Sequence, residues 1–492
     1  MGSQPARPIQ LPGFGLPLNH RPQTSTFPNA LDEEDIDCDD VGPGFMPDAS
    51  QVSDREITAR WRREVFELRQ DVTTNMMNWI IQEMQWKAGV LHEQGLLSVF
   101  DVGVVRSDTA VSPAVQQRLR EAVVLLEQSP WGKDYHPGSD EKVVNLVHPS
   151  LFPVVYGRTR ILPAGVLADV GNAEDAPHTA ADSSGCPAMW RCPRREAAAI
   201  LDATIPLWDS SLAPIRQWPH GRIRYAEWER SRPIELPEPG AFSPPPRAWW
   251  RGSVHLRDGF RQQGLQVTVK LANIELSPAR PDYGGGSWHP ERQMNERICA
   301  TAIYYYDSHN ITVSRLAFRQ RASMPEGVYY PQDQPEFLQA VYGFGPEVQG
   351  YNDSPITQDL GSVLCADGRL VTFPHTVQHR VLPFSLADRS HPGHRKILAL
   401  FLIDPHRPII SSANAPPQQE DRARERREVV CRLFSERLSA ELQDIVSENM
   451  TDGAMTMEKT KAYRLELIAE RSIKQKRQNE IFEIGSFSLC EH

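Results

Sequence analysis

The chain lacks the features that would place it in several large protein classes. No two cysteines stand at C-x-x-C spacing, and the seven present (38, 186, 192, 299, 365, 431 and 490) are odd in number and scattered. Cys186 and Cys192 are near enough in sequence to meet in a loop. The set as a whole nevertheless reads as unpaired thiols in a reducing compartment, not as a disulfide framework. No apolar run approaches the roughly 18 residues that a membrane span needs. The first ten residues, MGSQPARPIQ, hold no apolar signal core, and Ala6 stands where a myristoylation pattern needs Ser or Thr. Basic residues are not in excess: 53 Lys and Arg face 63 Asp and Glu, a net charge of −10. Seven acids between Asp32 and Asp40 supply most of it, and setting them aside leaves −3. A near-neutral body does not point to general affinity for nucleic acid, and such an acidic run reads as solvated loop. No internal repeat is present. The expectation is a cytoplasmic protein acting on neither nucleic acid nor a membrane.

Proline is what the chain has in surplus, 41 in 492 residues, or about 8% against a usual level of about 5%. That excludes a long helical array as the whole architecture. At roughly 150 residues per domain the length allows about three domains, and a chain this long buries a sizeable core without disulfides.

Residues 1–50 read as an extended arm. Ser53 and Glu56 have capping-box spacing. Val65, Leu68, Val72, Met76, Trp79, Ile80 and Met84 then recur at helical steps. A second helix opens at Ser112-Pro113, with Ser as cap and Pro in first position, and carries Val115, Leu119, Val123 and Leu126 on one face. VVNLVHPSLFPVVYG (143–157) is β-branched and broken by prolines, which predicts short strands. Residues 166–195 read as an insertion loop, 200–208 as a short helix, and 231–248 as a stiff proline-rich linker. Strands are predicted over 265–276, 298–306, 369–373 and 397–403, with an Asp-Gly turn at 367–368. From Glu420 to about Ile481 the sequence is charged and helical in period. The boundaries expected are 1–50 arm, 51–248 mixed N-terminal region, 249–410 β core and 411–492 helical extension.

The segment GGGSWHPE, residues 284–291, carries the chemistry. His289 and Glu291 are two apart, so on an extended strand both side chains project to one face. A third ligand would come from His379, 88 residues after Glu291 and just past the strand at 369–373. His375, four residues earlier, is the competing choice. Together these would make a two-histidine, one-carboxylate triad that leaves positions open on non-haem Fe(II), as O2-using oxygenases require. Arg395 enters the strand ending at Ile403. A guanidinium buried there needs an anion, either a structural carboxylate or the far carboxylate of a dicarboxylate co-substrate held in a bidentate pair. Taken alone, His-x-Glu occurs by chance in many proteins; the linked set is more specific. His391 and His394 flank Arg395 and read as loop residues.

These motifs, in this order, resemble the double-stranded β-helix of Fe(II)/2-oxoglutarate oxygenases. More closely, the chain resembles a large, mostly fungal family of proteins of unknown function. VHPSLFPVVYGRTRIL (147–162), IPLW (205–208), the block from Val269 to Thr312, VYGFG (341–345) and the block from Gly368 to His406 carry the resemblance. It implies iron ligands at His289, Glu291 and His379, a 2-oxoglutarate anchor at Arg395, and O2 as co-substrate. Glu at 291 is a departure from the commoner Asp and makes that ligand one methylene longer. Asn273 would bond 2-oxoglutarate, and Tyr304, Tyr306 and Phe344 would line the substrate pocket. Barrel packing for the tyrosines and a strand-end role for Asn273 are the plain alternatives.

The resulting expectation is an α+β protein, a jelly-roll barrel over roughly 250–410 wrapped by N- and C-terminal helices. It would oxidise a small molecule such as an amino acid or a secondary-metabolite intermediate by hydroxylation, desaturation or ring closure. A protein side chain is the second substrate class. A silent barrel used for binding, and a cupin-like isomerase or hydrolase with no use for Arg395, are the competing readings.

Overall fold

The computed structural model describes residues 49–68, 72–128, 133–155, 194–213, 238–244, 254–291, 296–322, 354–411, 437–451 and 454–485. It also describes 11–12, 15–16, 159, 161, 344, 414–415, 418–420, 424, 428–429 and 432–434. The acidic run, nearly all of the 166–195 insertion and most of the 231–248 linker lie outside these residues.

Two short strands, β1 (Leu11–Pro12) and β2 (Gly15–Leu16), pair with each other. Helix α1 (Ala49–Ser53) follows, and Asp54 rather than Ser53 caps α2 (Arg55–Leu68). Its carboxylate accepts from the N–H groups of Glu56 at 2.8 Å and Ile57 at 3.1 Å. The apolar period from Val65 to Met84 crosses a helix break. Thr73 starts a new helix, α3 (Thr74–Gln94), by accepting from the Met76 N–H at 3.2 Å. A good N-cap residue competes with continued helix and wins here. Strands β3 (Leu97–Phe100) and β4 (Val104–Ser107) come next. Helix α4 (Pro113–Glu127) opens on its Ser112 cap as the sequence predicts. Strand β5 is Val143–Val147. Helix α5 (Arg194–Ser211) is longer than the short helix expected at 200–208 and runs through Pro206. Strong helix formers in REAAAIL extend its start, and burial of Ile205 and Trp208 holds the turns on both sides of the proline.

After α6 (Leu256–Gly259) the chain is mostly strand: β6 (Val267–Leu276), β7 (Asp282–Tyr283), β8 (Ile298–His309) and β9 (Arg315–Arg321). Then come β10 (Ser354–Pro355), β11 (Thr357–Leu364), β12 (Leu370–Pro374), β13 (Gln378–Val381), β14 (Phe384–Ser385) and β15 (Gly393–Ile403). Gly368, at φ +80°, makes the turn before β12. The C-terminal part holds α7 (Ala440–Thr451), α8 (Met457–Glu483) and β16 (Ile484–Gly485).

The strands form a seven-stranded sheet in the order β3-β4-β12-β8-β15-β6-β5 and a three-stranded sheet, β11-β9-β13. Both are antiparallel throughout. One face of the large sheet (Val269, Leu271, Tyr304, Leu398, Leu400) packs on Leu119 and Val123 of α4 and Ile200 and Trp208 of α5. The other face (Ile303, Tyr305, Phe373, Ala399, Phe401) packs on Leu316 and Phe318 of β9 and Leu360 and Val363 of β11. The molecule is thus three layers: helices, large sheet, small sheet. Each fully buried Leu, Ile or Phe contributes about 1.5–3 kcal/mol. The α+β class holds. The expected closed barrel does not, since no strand pair among the described residues joins the two sheets. Among the described residues no helix is long and apolar enough to cross a membrane.

Candidate metal centre

The glycine-rich loop lies flat along β13. Gly286 donates to the Val381 carbonyl at 2.9 Å. Gly285 has φ +86°, and a Cβ there would meet that same carbonyl oxygen at 2.9 Å, so this backbone and this closeness both call for glycine. The loop then brings His289 opposite His379 as an antiparallel pair. The two backbones exchange hydrogen bonds of 3.2 and 3.1 Å, and the imidazole centroids stand 4.5 Å apart. Glu291, two residues on, falls on the same side as the spacing predicts.

His289, Glu291 and His379 each offer a ligand atom, and these atoms all lie within 4.8 Å of one another. Glu291 Oε1 is 3.8 Å from His289 Nε2 and 3.3 Å from His379 Nε2. His289 Nδ1–H donates to the Ser287 carbonyl at 2.7 Å, which leaves Nε2 with its lone pair free to bind a metal. The His379 ring is buried against Phe373, 4.7 Å between centroids. Such a set of two imidazoles and a carboxylate, brought together within bonding reach of a single ion, fits a divalent transition metal. His375 is not in the cluster; its Nδ1–H donates to the Cys299 carbonyl at 2.7 Å.

The cluster's electrostatics follow from burial and mutual pairing. Burial opposes charge on Glu291, but hydrogen bonds from His289 and His379 outweigh it and hold the carboxyl well below its usual range. Burial also opposes charge on His289, yet the Glu291 carboxylate beside it raises its pKa. For His379, burial and the neighbouring His289 outweigh Glu291, and its pKa is lowered. Lys270 of β6 pushes both imidazoles down.

The residues before the two histidines are tied to the C-terminal helix. Asn479 of α8 donates to the Trp288 carbonyl at 2.8 Å and accepts from Gln378 Nε2 at 2.9 Å. Gln378 in turn accepts from Arg319 Nε at 2.7 Å, and Arg319 pairs with Glu483. The Trp288 indole lies between the guanidinium groups of Arg319 and Arg380, at 4.7 and 4.5 Å.

Arg395 is 2% exposed on β15. Its Nη1 donates to Ser314 Oγ at 2.6 Å, and the guanidinium lies 5.5 Å from the Tyr305 ring and 5.2 Å from that of Phe384. Its Nε has no partner, and no carboxylate pairs with it among the described residues. Among the described residues, the structural salt bridge is therefore not present. Strand alternation puts Arg395 on the face shared by Ala399 and Phe401, the face that meets the small sheet and His379.

Three of the expected pocket residues face the other way. Asn273 alternates with the inward-facing Ile274 and points to the helical layer, where it donates to Glu127 of α4 at 2.8 Å. Tyr304 and Tyr306 pack in that same helix-side core, and the Tyr306 hydroxyl donates to Asn273 at 3.4 Å. The residue of β8 that faces Arg395 is Tyr305, between them. Period-two reading of the strand from Arg395 and its partners would have found it, and Lys270 likewise. Phe344 is buried, with residues on both sides outside those described. His391 pairs with Asp388, and His394 with Asp307.

A family model described as "Protein of unknown function (DUF4246)" matches residues 74–186 and 196–426. The chain belongs to the DUF4246 family. The matched stretches include every residue of the cluster and Arg395, and they end before α8, so Asn479 lies beyond the DUF4246 match. No curated protein matches the chain. Among solved structures it is similar to AviO1 from Streptomyces viridochromogenes, at 10% identity and a TM-score of 0.23, over 64% of this chain and 93% of that one. It is similar to a Pseudomonas putida prolyl-4-hydroxylase at 15% identity and a TM-score of 0.15, over 30% of this chain and 58% of that one. For IDO from Bacillus thuringiensis the values are 11%, 0.17, 28% and 44%. The chain thus spans under two thirds of the last two proteins. At these scores nothing of their chemistry passes to this one.

Proposed function

We propose that this DUF4246 member is an Fe(II)/2-oxoglutarate-dependent oxygenase of a small molecule. The observation that carries the reading is Arg395, a buried guanidinium with no carboxylate partner among the described residues, on the same interior face as the His289/Glu291/His379 cluster. A buried unpaired charge costs several kcal/mol, and a dicarboxylate co-substrate supplies the missing anion in a bidentate pair. A metal-dependent isomerase or hydrolase has no use for such a group. The two facing sheets fit an opened double-stranded β-helix, with 249–410 as the catalytic core.

His289, Glu291 and His379 would hold the iron, and Arg395 with Ser314 would hold the far carboxylate of 2-oxoglutarate. When bound, these groups supply the oxidation: 2-oxoglutarate, O2 and a substrate C–H become succinate, CO2 and C–OH, one oxygen atom going to each organic product. The chain's own part is positioning and exclusion of water. Phe318 and Phe373 wall His379 off from solvent. The Ser287 carbonyl fixes the His289 tautomer. Tyr305 and Phe384 close over Arg395, so the pair it forms is shielded.

Anaerobically purified protein given Fe(II), 2-oxoglutarate and then O2 is expected to release succinate slowly, and His289→Ala to release none. Wild-type protein that binds neither Fe(II) nor 2-oxoglutarate would overturn the proposal.

A further inference from the structure

Lys270 is a cation on the interior face with no anion assigned to it. On β6 it alternates with Val269 and Leu271, which pack in the helix-side core, and it pairs in register with Ala399, whose side chain faces the small sheet. It therefore projects to the side that holds the metal cluster. Its charge is felt there by both His289 and His379. Among the described residues its ammonium has no hydrogen-bond or ion-pair partner.

The surroundings of Lys270 make it a recognition group. Val147, the last residue of β5, pairs with Leu271, the neighbour of Lys270, and the charge of Lys270 acts on His148, the residue that follows. His148 is buried, and its Nδ1 accepts from the Ser150 N–H at 3.1 Å, which puts its proton on Nε2 as a donor. The His136 ring lies 6.0 Å from that of His148. The other cations here are matched: Arg464 with Asp134, and Arg471 with Glu296. The acid of the cluster, Glu291, is shared between two imidazoles. Among the described residues around His148, Lys270 is the cation without an anion. Arg395 does not duplicate it: Arg395 pairs with Ile274, four residues along β6 from Lys270, or roughly 13 Å at about 3.3 Å per residue.

We propose that the substrate carries an anionic group, a carboxylate or a phosphate, which is bound by Lys270 with His148 beside it. This rests on the oxygenase reading and narrows its substrate class to small organic acids or phosphate esters, held at one end while the metal faces the C–H to be oxidised. It also accounts for a cation so near a metal site, where it otherwise repels the metal.

The test uses the full chain with histidine labelled in the ring, loaded with Zn(II) and 2-oxoglutarate. Acetate and inorganic phosphate are titrated separately while the His148 ring signal, assigned from His148→Gln, is followed by NMR. One of the two is expected to shift that signal to saturation, and which one saturates names the anion class. Lys270→Met is expected to weaken the effect at least tenfold, and Lys270→Arg to retain most of it. No saturating shift with either anion, or the same affinity in Lys270→Met, overturns the proposal. Failure of Zn(II) or 2-oxoglutarate to load is seen before any titration, and it counts against the oxygenase reading instead.

Discussion

At Arg395, burial and the absence of a carboxylate partner among the described residues make opposite demands on stability and on binding. Arg395→Met keeps the volume of the side chain and removes an unpaired buried charge. It is expected to leave the unliganded protein as stable or up to about 1–4 kcal/mol more stable in denaturant unfolding, while 2-oxoglutarate affinity, read by equilibrium dialysis, falls at least a hundredfold. A destabilised variant that still binds 2-oxoglutarate would assign Arg395 a structural role. Asp209 of α5 makes a second case. Burial pushes its carboxyl up to about 6, against the ordinary 3.8, although it accepts from the Leu256 N–H at 2.8 Å. A folded pKa above the unfolded one means stability that is full below about pH 4 and lost as pH rises through 6. Asp209→Asn keeps the acceptor and removes the charge. It should gain on the order of 1–2 kcal/mol at pH 8, after solvent screening, and almost nothing at pH 4; equal gains at both pH values would refute the assignment. That His289 and Glu291 share one side was legible from spacing alone, since His-x-Glu puts two side chains on one side of any extended segment. Which tyrosine faces the site was not, because Tyr304, Tyr305 and Tyr306 are chemically alike and only alternation within the paired strand separates them.

Among the elements, α8 does more than extend the chain. Asn479 bonds the carbonyl just before His289 and the side chain just before His379, so one helical residue ties together the two segments that carry these histidines. Asn479→Ala is expected to weaken Co(II) binding about tenfold, the lower end for loss of a group that orients metal ligands, with helix content by circular dichroism unchanged. Asn479→Asp, which retains the acceptor for Gln378 but not the donor to Trp288, should fall between. Equal Co(II) affinity in all three proteins would show that α8 merely packs there. Element types were largely readable: α4 from its Ser-Pro start, and β6, β8, β12 and β15 from β-branched runs. Boundaries were less so. Asp54 and Thr73 cut one apolar period into separate helices, and Pro206 failed to end α5 because both its neighbouring turns are buried.

For the whole molecule, the three-layer arrangement predicts an order of opening. Strands β8 and β15 are paired on both sides and covered on both faces. Their amides should exchange last with deuterium, at the global unfolding free energy. Helix α8 is held largely by polar contacts and should open earlier. Adding Co(II) should slow exchange in 286–291 and 378–381 specifically, and in α8 through Asn479. If α8 exchanges as slowly as β15, the helix belongs to the core and cannot tune the ligands separately.

What the sequence determined by itself is local: caps, turns, the two-residue period of strands, the glycine that lets a loop lie on β13, and the shared side of His289 and Glu291. These depend on neighbours a few residues apart. The sequence favoured His379 over His375, and the tertiary structure brings His379 to His289 and Glu291 by pairing segments 88 residues apart. Only the tertiary structure decided that Arg395 has no carboxylate partner among the described residues and that Asn273 faces the helices. A missing partner and a strand's inward face are properties of packing, which no single stretch of chain contains.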